Sequence, residues 1–291
     1  MRTRNEGTAW RPGTFAVLAS LLGLGLWIQR QPLLDILDIA GRDQEQTYIL
    51  LVPFVAAWLL WLRRSRFRYV RFRPSFTGPT AVILGSLMSW WGFESGTQIA
   101  WHAGAGLAVV GVVLSMTGLE PLRQFAPVFG VLALALPVPG VLRQAIALPL
   151  QTMATVVTHS VLELCGVAAM RFGNMLVINE QEIAVGEACN GLRMVFAFGL
   201  VVYAFAFSVP LKFPTRVILI ALSPIMALVC NVIRLVPTSV FYGYGTASGA
   251  EWFHALTGWL MLPVALVILV RLLRLLTWLE LPVAQFRLAN Q

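Results

Sequence analysis

Three side chains of different chemistry stand at the edges of three successive apolar stretches in the C-terminal half of the chain: Cys189, Arg234 and His254. A thiol, a guanidinium and an imidazole supply a nucleophile, an electrostatic stabiliser and a general acid/base, which together suffice for acyl transfer. Cys189 opens a helix in the run Glu187-Ala188-Cys189-Asn190-Gly191-Leu192-Arg193. A helix N-terminus and a nearby cation both favour the thiolate, drawing a thiol pKa from about 8.5 towards neutrality. Arg193 follows by four residues and so shares the helical face of Cys189. An imidazole, with an ordinary pKa of about 6.5, can take the thiol proton and return it to a leaving amine. Arg234 lies at the end of an apolar span, where an unpaired cation costs on the order of 2.5 to 3.5 kcal/mol, so a partner or a task is required to keep it there.

The remaining reactive side chains have plainer readings. Cys165 and Cys230 read as small core residues. His102 and His159 read as anchors at a membrane interface, and Tyr242, Tyr244, Trp252 and Trp259 as an aromatic belt. Arg193 is equally a snorkelling side chain or a partner of Glu187. No Gly-x-Ser-x-Gly elbow, phosphate-binding glycine loop or His-Glu-x-x-His sequence occurs. Cysteine and histidine never fall at metal-ligand spacing, so neither a metal nor another cofactor is expected.

The elements that must position these groups are membrane spans. Of 291 residues 58% are apolar and 12% charged, against about one quarter charged in a soluble domain. Long apolar blocks lie near 14–29, 48–62, 79–93, 99–118, 124–139, 190–209, 216–236 and 255–276, which predicts about eight transmembrane helices in one integral membrane domain covering 1–291. The fold class is therefore an all-α polytopic membrane protein. The six arginines Arg63, Arg64, Arg66, Arg68, Arg71 and Arg73 mark a cytoplasmic loop, a reading preferred to a nucleic-acid or specific lipid site. Alternation from that loop places both termini in the cytoplasm and divides the net charge of +8 into +12 on the cytoplasmic face and −4 on the outer face. On this count Cys189, Arg234 and His254 share one depth, at the outer boundary.

Residues 140–170 are apolar but carry Arg143, Gln144, Gln151, His159 and Glu163. A ninth crossing there would turn the basic C-terminus outward, so the segment reads as one or two amphipathic helices lying at the outer interface or packed against the bundle. Phe172 to Val185 follows as a short β-hairpin whose turn lacks an Asn-Gly or Asp-Gly pair.

The run Ala188-Cys189-Asn190-Gly191-Leu192-Arg193, then Asn231-Val232-Ile233-Arg234, then His254 with Thr257-Gly258, resembles the exosortase and archaeosortase family over about 125–276, with the spans in 14–118 preceding that region. The resemblance implies a multispanning thiol protease or transpeptidase in the cytoplasmic membrane, facing outward. Its substrates would be secreted proteins ending in a sorting signal made of a short Pro-Glu-Pro-like (PEP-CTERM) motif, a hydrophobic helix and a basic tail. By position, Cys189 would be the nucleophile, Arg234 the stabilising cation and His254 the acid/base, with Glu187, Asn190, Arg193 and Asn231 in support. Asn190 departs from the serine usual in the family. Membrane lipids are the other expected partners. The competing reading is a non-enzymatic transporter or export-complex subunit whose Arg234 binds an anionic ligand.

Overall fold

The computed structural model describes residues 12–70, 73–185 and 191–278. They form two compact units that divide in sequence between Pro139 and Gly140. Both are mainly helical, and many of their largest apolar side chains point outward, Phe54, Phe76 and Trp90 among them. A lipid phase accepts such a surface, provided that the backbone is satisfied within each helix.

The N-terminal unit opens with α1 (Pro12–Ile28) and α2 (Arg30–Arg42), bent by 69° at Gln29. A 3-10 helix (Thr47–Leu51) leads into α3 (Val52–Leu62), and another (Arg64–Tyr69) carries much of the arginine cluster. Then come α4 (Thr77–Glu94), α5 (Gln98–Thr117), α6 (Glu120–Gln124) and α7 (Ala126–Ala133). Helices α4 and α5 make the closest packing in this unit. Gly78, Gly85 and Gly92 recur every seventh residue on α4 and face Gly104 and Gly111 on α5. A methyl group on Gly85 would stand 2.5 Å from the Ala108 nitrogen, and one on Gly104 would stand 2.3 Å from the Ser89 nitrogen. Small residues at helical spacing thus let two backbones touch where lipid gives no hydrophobic drive for association.

His102 on α5 is buried, not interfacial. Its Nε2 donates to Asp35 Oδ2 of α2 at 2.9 Å and its ring stacks on Trp101. Burial of the polar ring is tolerable because that carboxylate reaches it.

The C-terminal unit begins with α8 (Gly140–Leu164). Gly166, at φ +79°, ends it. The Gly166 N–H donates to Glu163 and the Val167 N–H to Leu162, the paired bonds that close a helix on a left-handed glycine. Three short strands follow, β1 (Ala169–Phe172), β2 (Met175–Ile178) and β3 (Gln181–Ala184), in the order β1-β2-β3 and antiparallel throughout. The expected hairpin is β2–β3, and β1 is an addition. Asn179 and Glu180 link β2 to β3 with φ of +51° and +64°, the backbone of a primed two-residue turn made without glycine.

Leu176 and Ile178, on one face of β2, bury against Ala154 and Leu162 of α8 and Leu235 of the later helix α10 (Phe213–Tyr244). Between sheet and α10 come α9 (Gly191–Ser208) and a short connection, and α11 (Ala247–Trp278) follows α10. Phe198 and Val202 of α9, Leu219, Met226 and Cys230 of α10, and Met261 and Leu269 of α11 form the main core of this unit.

Two expectations about the spans need correction. First, eight spans are not what these helices provide: among the described residues, α5, α8 and α10 are long and apolar enough to cross, with the bent pair α1–α2 a possible fourth. Second, the block at 124–139 yields only α7, eight residues long, or about 12 Å of helix against about 30 Å of hydrocarbon. Pro137 and Pro139 stop it, since each lacks an N–H and disfavours helix in the residue before it. Conversely, the segment expected to lie on the surface is one continuous 25-residue helix, α8. Its Arg143, Gln151 and His159 all have partners, which lowers the cost of the polar groups that argued against a span.

Candidate active site

Helices α9, α10 and α11 follow one another through short connections, and α10 packs against both neighbours. Consecutive antiparallel helices bring the start of α9, the end of α10 and the start of α11 to one end of the array. Arg193 and His254 lie near the starts of α9 and α11, whereas Asn231 and Arg234 lie within α10, Arg234 ten residues before its end at Tyr244. Arg193 is the third residue of α9 and is exposed with a partner. Arg234 lies about 32 Å along the axis of α10 from Phe213, near the far boundary of a hydrocarbon layer about 30 Å thick. His254 belongs to the second turn of α11. Its neighbour Phe253 stacks on Phe241 of α10, with centroids 4.2 Å apart, which pins that turn to the end of α10. Cys189, Glu187 and Asn190 lie outside the described residues, in the five-residue interval between Val185 and Gly191.

What α10 does to its own backbone explains how polar groups are kept at this depth. Pro224 and Pro237 lie inside it. Pro224 cannot donate to the Ile220 carbonyl, and the Ser223 hydroxyl donates to it instead at 2.8 Å. Thr238 Oγ1 donates to the Arg234 carbonyl at 2.7 Å.

The side chains are less well provided for. Asn231 is fully buried, yet neither its Nδ2 nor its Oδ1 has a hydrogen-bond partner among the described residues. The same holds for Arg234 Nε, for Ser239 Oγ on α10 and for Thr158 Oγ1 on α8. Asn231, Leu235 and Ser239 share a helical face, with Arg234 three residues from Asn231. An unmet amide in a dry interior costs about 1 to 3 kcal/mol, and native proteins keep such groups chiefly where something else must bind. Sequence reading had named Asn231 and Arg234 but passed over Thr158 and Ser239. For Ser239 the available signal was its spacing of two helical turns from Asn231.

The sheet is seated on the C-terminal end of α10. Ile178 fits against Gly243, where a methyl group would lie 2.4 Å from Ile178 Cγ2, and Asn179 Nδ2 donates to the Gly243 carbonyl at 3.2 Å. Strand β3 then runs out of this seated sheet directly into the interval that holds Cys189. Of the other cysteines, Cys230 is buried in the main core as expected, whereas Cys165 is exposed at the end of α8 because it immediately precedes the glycine that terminates the helix. Among the described residues no group of three or more His, Cys, Asp or Glu side chains could hold a metal ion.

Fold and site define a polytopic helical membrane protein with polar groups inside α10 that have no partner among the described residues. The chain belongs to the transmembrane exosortase family, whose profile matches residues 40–271. The match starts well before residue 125 and takes in α3 to α7 of the N-terminal unit. Membership implies cysteine transpeptidase chemistry in general terms. Among curated proteins and among solved structures, nothing matches.

Proposed function

We propose that this protein is a membrane-embedded cysteine transpeptidase or protease that cleaves the C-terminal sorting signals of secreted proteins. The observation that carries this reading is the pair Asn231 and Arg234 within α10, where the buried Asn231 amide and Arg234 Nε have no hydrogen-bond partner among the described residues. In the proposed reaction His254 accepts the proton of Cys189, and the thiolate adds to the scissile carbonyl. Arg234, supported by Asn231, meets the resulting oxyanion, a contribution worth about 3 to 4 kcal/mol in comparable holes. The tetrahedral species collapses with cleavage of the C–N bond, and His254 returns its proton to the departing amine. The rest of the substrate is then a thioester on Cys189, released when an amine, another envelope acceptor or water attacks the same carbonyl.

The proposed site faces outward, in the cytoplasmic membrane, with both termini inside. The arginine-rich loop supports that orientation. A substrate whose basic tail stays in the cytoplasm and whose helix lies beside the bundle would present its Pro-Glu-Pro-like motif at that level. The test is processing of a co-expressed protein carrying such a signal. Cys189→Ala is expected to leave it at full length, accumulated in the membrane. Normal processing by that variant, at normal expression, would leave only the competing reading of an anion-binding membrane subunit.

A further inference from the structure

The N-terminal unit holds a polar cavity of about 550 Å³ with no part in the chemistry above. Arg73, Ser75 and Thr77 enter it from the start of α4, and Glu120 and Arg123 enter from α6, just past the end of α5, with Tyr69 beside them. Its walls are fixed by backbone bonds: the Arg73 N–H donates to the Met116 carbonyl at 2.9 Å and the Ser75 N–H to the Ser115 carbonyl at 3.1 Å. Gly118, at φ +65°, then turns the chain out of α5 and back under the cavity as α6. Glu120, the one acid in the wall, accepts the Gln124 amide at 2.8 Å, and no ion pair joins it to either cavity arginine among the described residues.

Two guanidiniums, four hydroxyls and one carboxylate leave the cavity with a net positive charge. Two apolar helices end there, so it lies at headgroup level. From its mouth an exposed apolar row runs down α4 through Phe76, Ile83, Leu84 and Leu87. That row covers about 16 Å of helix, close to the depth of one leaflet. We infer that the cavity binds the headgroup phosphate of one anionic phospholipid, held between Arg73 and Arg123, with its acyl chains along α4. A soluble phosphate ester shares the phosphate chemistry but has no use for the apolar row.

Native mass spectrometry of the full-length protein in detergent, titrated with phosphatidylglycerol, tests this. Arg73→Gln and Arg123→Gln should each weaken lipid retention about fivefold. Arg64→Gln removes the same charge from the same arginine cluster but outside the cavity, and should change retention less than twofold. Glu120→Gln should tighten retention, a gain that misfolding cannot imitate. Equal losses for all three arginine variants, or no gain from Glu120→Gln, would reduce the effect to diffuse surface charge and overturn the assignment. Glycerol 1-phosphate should fail to displace the lipid at equal concentration, and displacement would make this a site for soluble phosphate.

Discussion

Asn231 is an expensive residue where it stands. A fully buried amide with neither end met among the described residues costs about 1 to 3 kcal/mol, and an apolar side chain of similar size would remove that cost. If Asn231 served only packing, the helix would be better with valine. Asn231→Val is therefore expected to raise stability by about 1 kcal/mol, read from thermal unfolding in detergent, while lowering the rate of substrate processing about a hundredfold. Stabilisation with full activity would remove Asn231 from the site. Arg234 follows the same logic with a charge in place of an amide, and its backbone carbonyl is already occupied by Thr238. These groups were legible in the sequence because a polar residue in an apolar block stands out by type alone. Burial was not legible: His102 looked like an interface anchor because its partner, Asp35, lies 67 residues away on another helix.

At the scale of elements, the contact between α4 and α5 depends on the absence of side chains. Gly85→Ala should destabilise the protein by about 3 kcal/mol, since its methyl group meets backbone that cannot move aside. Gly106→Ala, on the same helix pair but with nothing within 4 Å, should stay within about 0.5 kcal/mol of the parent. SDS-induced unfolding of the two variants reads this difference, and equal effects would refute the packing argument. Hydropathy blocks found most of the apolar helices, but they misjudged the interval from 120 to 164. An apolar composition does not say whether a helix continues, and Pro137 and Pro139 cut one block short while Pro149 is accommodated inside α8. The sheet was partly legible: the apolar run Met175–Ile178 before the polar stretch Asn179 to Glu182 marked β2, whereas Ala-Met-Arg-Phe in β1 has no such setting. The turn was missed as a primed one because Asn179 and Glu180 occupy positions where glycine is the usual signal.

For the whole molecule, the testable quantity is which side each segment faces. Cys165 is exposed at the end of α8, beside the sheet, and Cys230 is buried. In a Cys189→Ala background, a membrane-impermeant maleimide added outside intact cells should label the protein, and Cys165→Ser should abolish that labelling. Labelling only after the cytoplasm is opened would invert the proposed orientation and put the candidate site inside.

The seat of β2 on Gly243 also bears on how the chain is made. Asn179 and the glycine whose carbonyl it binds are 64 residues apart, an interval that takes about 3 to 13 seconds to synthesise at ordinary translation rates. For that time the sheet has emerged and its final support has not. Of the residues that cover the apolar face of β2, Ala154 and Leu162 of α8 are synthesised before it and Leu235 of α10 after it. Until α10 is made, the cover available to that face is the one α8 supplies.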